Sequence, residues 1–164
     1  MKRFTFLLVA AIYAFTVTAQ EPQFYDNKVI SHRGAWKNTG HPQNSLASFR
    51  AAAEMGCHGS ECDVHLTLDD SLVVYHDLSH AGMLIEKTKY ADLVKVPLKN
   101  SEKIPTLHEY IIRAKQHPRT KLIIDVKNIG TDEHAMAIGQ AANRRIHKIH
   151  TEEGSFFQYC PHTE

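Results

Sequence analysis

Seven side chains able to carry charge, titrate or ligate a metal fall in or just after short apolar runs. His32 and Arg33 follow Lys28–Ser31, which reads as a short buried strand, and Glu61 and Asp63 lie within Gly59–Leu66. His76 follows Leu72–Tyr75, and Asp125 and Lys127 close Leu122–Lys127. Read as strands, these runs turn alternate side chains to opposite faces, so Glu61 and Asp63 share a face, as do Asp125 and Lys127. Three carboxylates brought together repel one another, and a bound cation restores their ionised form. Oxygen donors alone suit Mg²⁺ or Ca²⁺ better than Zn²⁺. Histidine titrates near neutral pH and is the commonest metal ligand, and His32 and His76 stand at two of these strand ends. Taken singly, each feature has an everyday reading: a hydrogen-bonded surface histidine, a solvated E-x-D face, a D-x-K ion pair. Recurrence at four strand ends is what points to one site. His65 shares the face of Glu61 and Asp63 and reads as a supporting or exposed residue without a role of its own.

The segments between these runs must position them. Asn44 or Ser45 caps a helix with Leu46, Phe49 and Ala53 on one face and Gly56 as its stop. Asp69-Asp70-Ser71 turns the second strand into the third. Residues 78 to 104 are less regular, with a short amphipathic stretch at Tyr90–Val94. Thr106 caps a further helix, Glu109 completes a capping box, and Leu107, Tyr110, Ile111 and Ala114 form its inner face up to Pro118. A last helix is expected from about Thr131 to His150. Strands that alternate with helices and read as continuous apolar runs predict an α/β fold with a parallel sheet. In such folds sites are built at the carboxyl ends of the strands.

Composition agrees with one globular domain: 164 residues, 43% hydrophobic, formal net charge +1. That balance, without a basic stripe, excludes bulk attraction to nucleic acid. The 12 histidines weigh toward an enzyme or a metal site. Lys2 and Arg3, an apolar run from Phe4 to Phe15 and a small-residue end predict a signal peptide over residues 1–19. The mature chain is then exported, periplasmic or secreted, with no stable membrane anchor after cleavage. Three cysteines cannot form a complete internal disulfide framework, and their spacing fits no zinc motif. Cys57 and Cys62 read as buried free thiols.

In order along the chain, His32-Arg33-Gly34, Pro42-Gln43-Asn44-Ser45, Glu61-Cys62-Asp63-Val64, Val73-Val74-Tyr75-His76-Asp77, Ile104-Pro105-Thr106-Leu107 and Ile124-Asp125-Val126-Lys127 resemble the glycerophosphodiester phosphodiesterase family. The resemblance runs from about Lys28 to His150. It implies a TIM-type (β/α) barrel that hydrolyses glycerophosphodiesters to sn-glycerol 3-phosphate and an alcohol. It further implies one divalent cation, Ca²⁺ or Mg²⁺, on Glu61, Asp63 and Asp125, with His32 and His76 as the general acid–base pair. Arg33 and Lys127 are then expected to contact the substrate phosphate, and residues 78 to 104 to supply a small element beside the barrel mouth.

The chain departs from the family pattern in three ways. Gln43 stands where an acid is usual, Asp125 stands where glutamate is usual, and a full barrel takes about 250 residues. Residues 20–150 are therefore expected to hold about the first half of a barrel. Residues 151–164 are expected to form an unpatterned, truncated tail. Open sheet edges would then favour self-association. The alternatives are an inactive half-barrel that binds metal or phosphate, and a phospholipase-type phosphodiesterase barrel.

Overall fold

The computed structural model describes residues 23–127, 133–153 and 157–160. The expected leader lies outside them, as do Thr131 and Asp132 of the expected last helix. Along the chain come β1 (Ile30–Ser31), α1 (Leu46–Glu54), β2 (Gly59–Leu66) and β3 (Leu72–Val74). A small hairpin follows, β4 (Ser79–His80) and β5 (Met83–Leu84), then a 3₁₀ turn over Ile85–Lys87 and α2 (Tyr90–Leu93). The remainder is α3 (Leu107–Lys115), β6 (Lys121–Val126), α4 (Glu133–Glu153) and β7 (Phe157–Cys160).

Four strands form a parallel sheet in the order β1-β2-β6-β7. Cys62 and Val64 of β2 sit beside Ile124 and Val126 of β6, and all four are buried. With Leu122 they form the sheet face that packs on Phe49 of α1, on Tyr110, Ile111 and Ala114 of α3, and on Ile146 of α4. Phe49 and Tyr110 meet edge to face, with ring centroids 5.7 Å apart. The buried Tyr110 hydroxyl donates to the Ser45 carbonyl at 2.9 Å and so ties α3 to the start of α1. The apolar face fixes the strand register, which leaves the alternate residues Glu61, Asp63 and Asp125 on the other face. Cys57 and Cys62 are buried free thiols as expected, and burial pushes both thiol pKa values up.

Three expectations need correction. The third strand is not part of the parallel set: β3 runs antiparallel to β2, with Val64 opposite Val74 and Leu66 opposite Leu72. The link of residues 67–71 is far too short for a parallel crossover, which takes a dozen or more residues. It turns tightly with Asp70 at φ +60°. The first strand is not buried, since Val29 and Ile30 are 57% and 52% exposed. β1 stands at one end of the sheet and, among the described residues, pairs only with β2. The tail is not wholly unpatterned either: α4 continues to Glu153, and Phe157–Cys160 pairs with β6 from Leu122 to Asp125. Four residues are too few to show a period, and pairing rather than pattern makes them a strand.

The capping box of α3 is present. Thr106 Oγ1 accepts from the Glu109 amide at 3.2 Å, and Glu109 Oε2 accepts from the Thr106 amide at 2.9 Å. Thr106→Ala is expected to cost about 1 kcal/mol and Thr106→Ser much less. Denaturant midpoints check this, and an alanine variant as stable as wild type would contradict it.

Candidate active site

Parallel pairing of β2 with β6 sets Asp63 beside Asp125, and Glu61 lies two residues earlier on the same face. One carboxylate oxygen from each of the three lies within 4.8 Å of the others. Asp63 is fully buried and held from several directions. Its Oδ2 accepts from Asn44 Nδ2 at 2.7 Å and lies 3.4 Å from Arg33 Nε. Its Oδ1 lies 2.7 Å from Lys127 Nζ. Its amide donates to Asn44 Oδ1 at 3.3 Å. Lys127, just past the end of β6, also reaches Asp125 Oδ2 at 2.5 Å. Burial alone would lower the pKa of this ammonium, but its bonds to Asp125 and Asp63 prevail and hold it above the ordinary value.

The turn after β1 supplies His32 and Arg33. Arg33 has φ +61° and Gly34 φ +80°, so the chain reverses through two left-handed residues. A non-glycine residue in that region costs roughly 1 kcal/mol or more, and the Arg33 contacts offset it. The Arg33 amide donates to Glu61 Oε2 at 2.9 Å, and its Nη1 donates to Gln43 Oε1 at 2.9 Å. Glutamine thus still serves as an acceptor for Arg33 but brings no charge. At Gly34 a Cβ would stand 2.7 Å from the Ser48 carbonyl carbon, so only glycine lets the turn lie this close to α1. Asn44, at φ +58°, donates its amide to the Arg33 carbonyl, and the next residue, Ser45, caps α1 by accepting from the Ser48 amide.

His32 presents an exposed ring, with Nε2 3.8 Å from Glu61 Oε2. Partial burial, then the charge of Arg33, lowers its pKa below the ordinary value. His76 arrives by a different route. Because β3 returns along β2, the Tyr75 amide donates to the Asp63 carbonyl at 3.0 Å, and His76 follows at once. Its Nδ1 lies 2.7 Å from Asp77 Oδ1. The buried His65 brings Nε2 to 3.3 Å from the His76 carbonyl, and burial lowers its pKa.

All seven side chains singled out in the sequence therefore lie in one neighbourhood. Asn44, His65 and Asp77 were not assigned a part in it. Asn44 was read only as a possible helix cap, which is the role Ser45 takes. Asp77 carried a signal in its direct succession to His76. His65 carried one in its place on the face of Glu61 and Asp63.

The donor set fits a hard divalent cation. Oxygens within 4.8 Å of one another can be bridged by two metal–oxygen bonds of about 2.3–2.6 Å, and the set holds neither sulfur nor imidazole. Burial, then the neighbouring Asp63 charge, pushes the Glu61 pKa up to about 7. Beside the site, Trp36, Gln43, Tyr75, His80, Leu98 and Lys99 help line a cavity of about 470 Å³. The segment between His76 and Pro105 thus shares a cavity with Trp36 and with Gln43, the acceptor for Arg33.

Comparison with known proteins locates this arrangement. A sequence model of the glycerophosphoryl diester phosphodiesterase family matches residues 32–161. A glycerophosphodiester phosphodiesterase of Caldanaerobacter subterraneus is 53% identical over 49 residues, 30% of this chain and 19% of that protein. The crystal structure of a glycerophosphodiester phosphodiesterase from Parabacteroides distasonis superposes with a TM-score of 0.70 at 39% identity, over 80% of this chain and 55% of that one. A phosphodiesterase from Oleispira antarctica, solved with the product sn-glycerol-3-phosphate, shares the fold with a TM-score of 0.68 at 24% identity, over 81% and 56% of the two chains. The chain thus spans little more than half the length of these structures, and its parallel sheet is the corresponding part of their TIM-type barrel.

A cation must displace the proton that Glu61 holds near neutral pH. Affinity for Ca²⁺ is accordingly expected to fall as pH drops through 7, by about tenfold between pH 8 and pH 6 for one displaced proton. Calorimetric titration of wild type and Glu61→Gln checks this. The wild type should show the slope and the variant should lose it; affinity independent of pH in the wild type would contradict the assignment.

Proposed function

The chain belongs to the glycerophosphoryl diester phosphodiesterase family, and on that premise we propose that it hydrolyses glycerophosphodiesters to sn-glycerol 3-phosphate and an alcohol. One observation carries the reading: His32 stands 3.8 Å from Glu61, His76 follows directly on the residue whose amide bonds to Asp63, and Arg33 and Lys127 bring two cations to the same carboxylates. The product bound to the Oleispira antarctica phosphodiesterase is the one this chemistry would release.

Glu61, Asp63 and Asp125 would hold the cation, which when bound polarises a phosphoryl oxygen and orients the diester. Asp125 is one methylene shorter than the family's usual glutamate. The longer bonds and flexible shell of Ca²⁺ suit that better than the strict octahedron of Mg²⁺. Arg33 offers a planar fork and Lys127 a point charge to the phosphate. Its lowered pKa keeps His32 neutral near pH 7, fit to take the proton from the attacking hydroxyl at Nε2. The Asp77 carboxylate can only accept, so it fixes His76 with Nδ1–H toward it, and the imidazolium form then has its second proton, on Nε2, to give to the leaving oxygen.

Release of glycerol 3-phosphate from glycerophosphocholine by the whole chain tests the proposal, with Ca²⁺, with Mg²⁺ and with chelator. Release is expected only with cation. His32→Ala and His76→Ala should each lower turnover by about 100-fold or more while binding the cation as wild type does. A folded sample that binds cation and releases nothing would favour the binding-only reading, which draws on the 55% coverage of the solved relative.

Export is proposed from the basic residues Lys2 and Arg3 and the apolar run that follows. Among the described residues no helix is long and apolar enough to cross a membrane. Protein recovered outside the cytoplasm should begin at Gln20, and an amino terminus at Met1 would contradict this.

A further inference from the structure

His65 follows Glu61 and Asp63 on the site-facing side of β2, and it is 1% exposed. The only hydrogen bond of its ring among the described residues joins Nε2 to the His76 carbonyl oxygen at 3.3 Å. Nδ1 is buried and has no partner among them. A carbonyl oxygen can only accept, so Nε2 carries the proton and Nδ1 is left with an unused lone pair. Burying an unsatisfied polar atom is unfavourable. A leucine or methionine would fill the same space without it. What histidine adds at this position is one N–H aimed at one carbonyl.

That carbonyl sits where the hairpin loses its own support. The ladder between β2 and β3 ends at Val74, and the Tyr75 amide makes the last backbone bond back to β2, at the Asp63 carbonyl. Beyond it, no backbone–backbone bond holds His76 among the described residues. The His65 contact is then the first tie to the backbone that carries the His76 ring. The ring is further restrained through Asp77, its own neighbour in sequence, which moves with it.

We propose that His65 is a positioning residue: its Nε2–H holds the His76 carbonyl and so sets the place from which the His76 imidazole reaches the site. The proposal rests on reading His76 as a proton carrier, and its test has one arm that does not. His65→Met removes the donor and keeps the volume, whereas His65→Gln returns an N–H at nearly the same reach. In glycerol 3-phosphate release, His65→Met should lose about tenfold or more in kcat with KM little changed, and His65→Gln should recover to within a few-fold of wild type. The second arm follows the His76 Cε1–H resonance by NMR, assigned from the spectrum of His76→Ala. It should be a single sharp signal in wild type and His65→Gln, and shifted or broadened in His65→Met, with Ca²⁺ affinity unchanged throughout.

A Met variant with the wild-type resonance and kcat would overturn the proposal. So would a Gln variant as impaired as the Met variant, since packing alone would then explain both. Should wild type itself release no product, the phosphodiesterase reading falls and the resonance alone decides the positioning role. Should His65→Met fail to fold, a broadened His76 signal in His65→Gln overturns the proposal and a wild-type signal supports it.

Discussion

The rest of the site depends on keeping one carboxylate charged where no water reaches it. Asp63 is wholly buried, and a charge in such a place is costly unless it is paired and hydrogen-bonded. The chain surrounds it with the Asn44 amide and the Arg33 guanidinium, both from the connection between β1 and α1, and with the Lys127 ammonium from the end of β6. Each delivery has its own structural demand. Arg33 and Asn44 both occupy left-handed backbone, the turn between them closes through an Asn44 to Arg33 backbone bond, and Gly34 lets that turn press against α1. A buried pair that loses one partner is strongly destabilised, so these features stand or fall together.

Around this anchor the two other carboxylates differ usefully. Asp125 shares Lys127 with Asp63, whereas Glu61 accepts from the Arg33 amide and lies beside His32. Glu61 has no cation of its own among the described residues, and burial first, then the charge of Asp63, raises its pKa. A divalent ion would relieve the repulsion between the two directly. The β2–β3 hairpin solves a separate problem of placement. It carries the chain past the carboxylates and returns it antiparallel, so that His76 comes back beside Asp63 instead of ending remote from it.

Much of this could be read before any coordinates. The period-two alternation put Glu61 and Asp63 on one face, and the apolar runs of β2 and β6 marked a buried parallel sheet. Ser45 and Thr106 both cap the helices that were expected to follow them. The direction of β3 was misjudged because an apolar run does not reveal its partner's sense; the five-residue link did carry that information. β1 was expected to be buried because Val29 and Ile30 are apolar, but burial depends on neighbours, and β1 stands at the end of the sheet. Asn44 was missed as a holder of Asp63 because a side chain that reaches 19 residues along the chain leaves no local pattern. His65 was set aside for the complementary reason: its partner is a backbone carbonyl, which every residue has.

The central claim is that Glu61, Asp63 and Asp125 together form one cation site whose charge Lys127 only partly balances. A crystal structure of the protein grown with Mn²⁺, with diffraction recorded at the manganese absorption edge, tests it most directly. The account predicts one anomalous peak within bonding distance of all three carboxylates, with Lys127 turned from them toward the space a phosphate would fill. Three carboxylates still closed around the Lys127 ammonium, with no peak between them at saturating Mn²⁺, would contradict it.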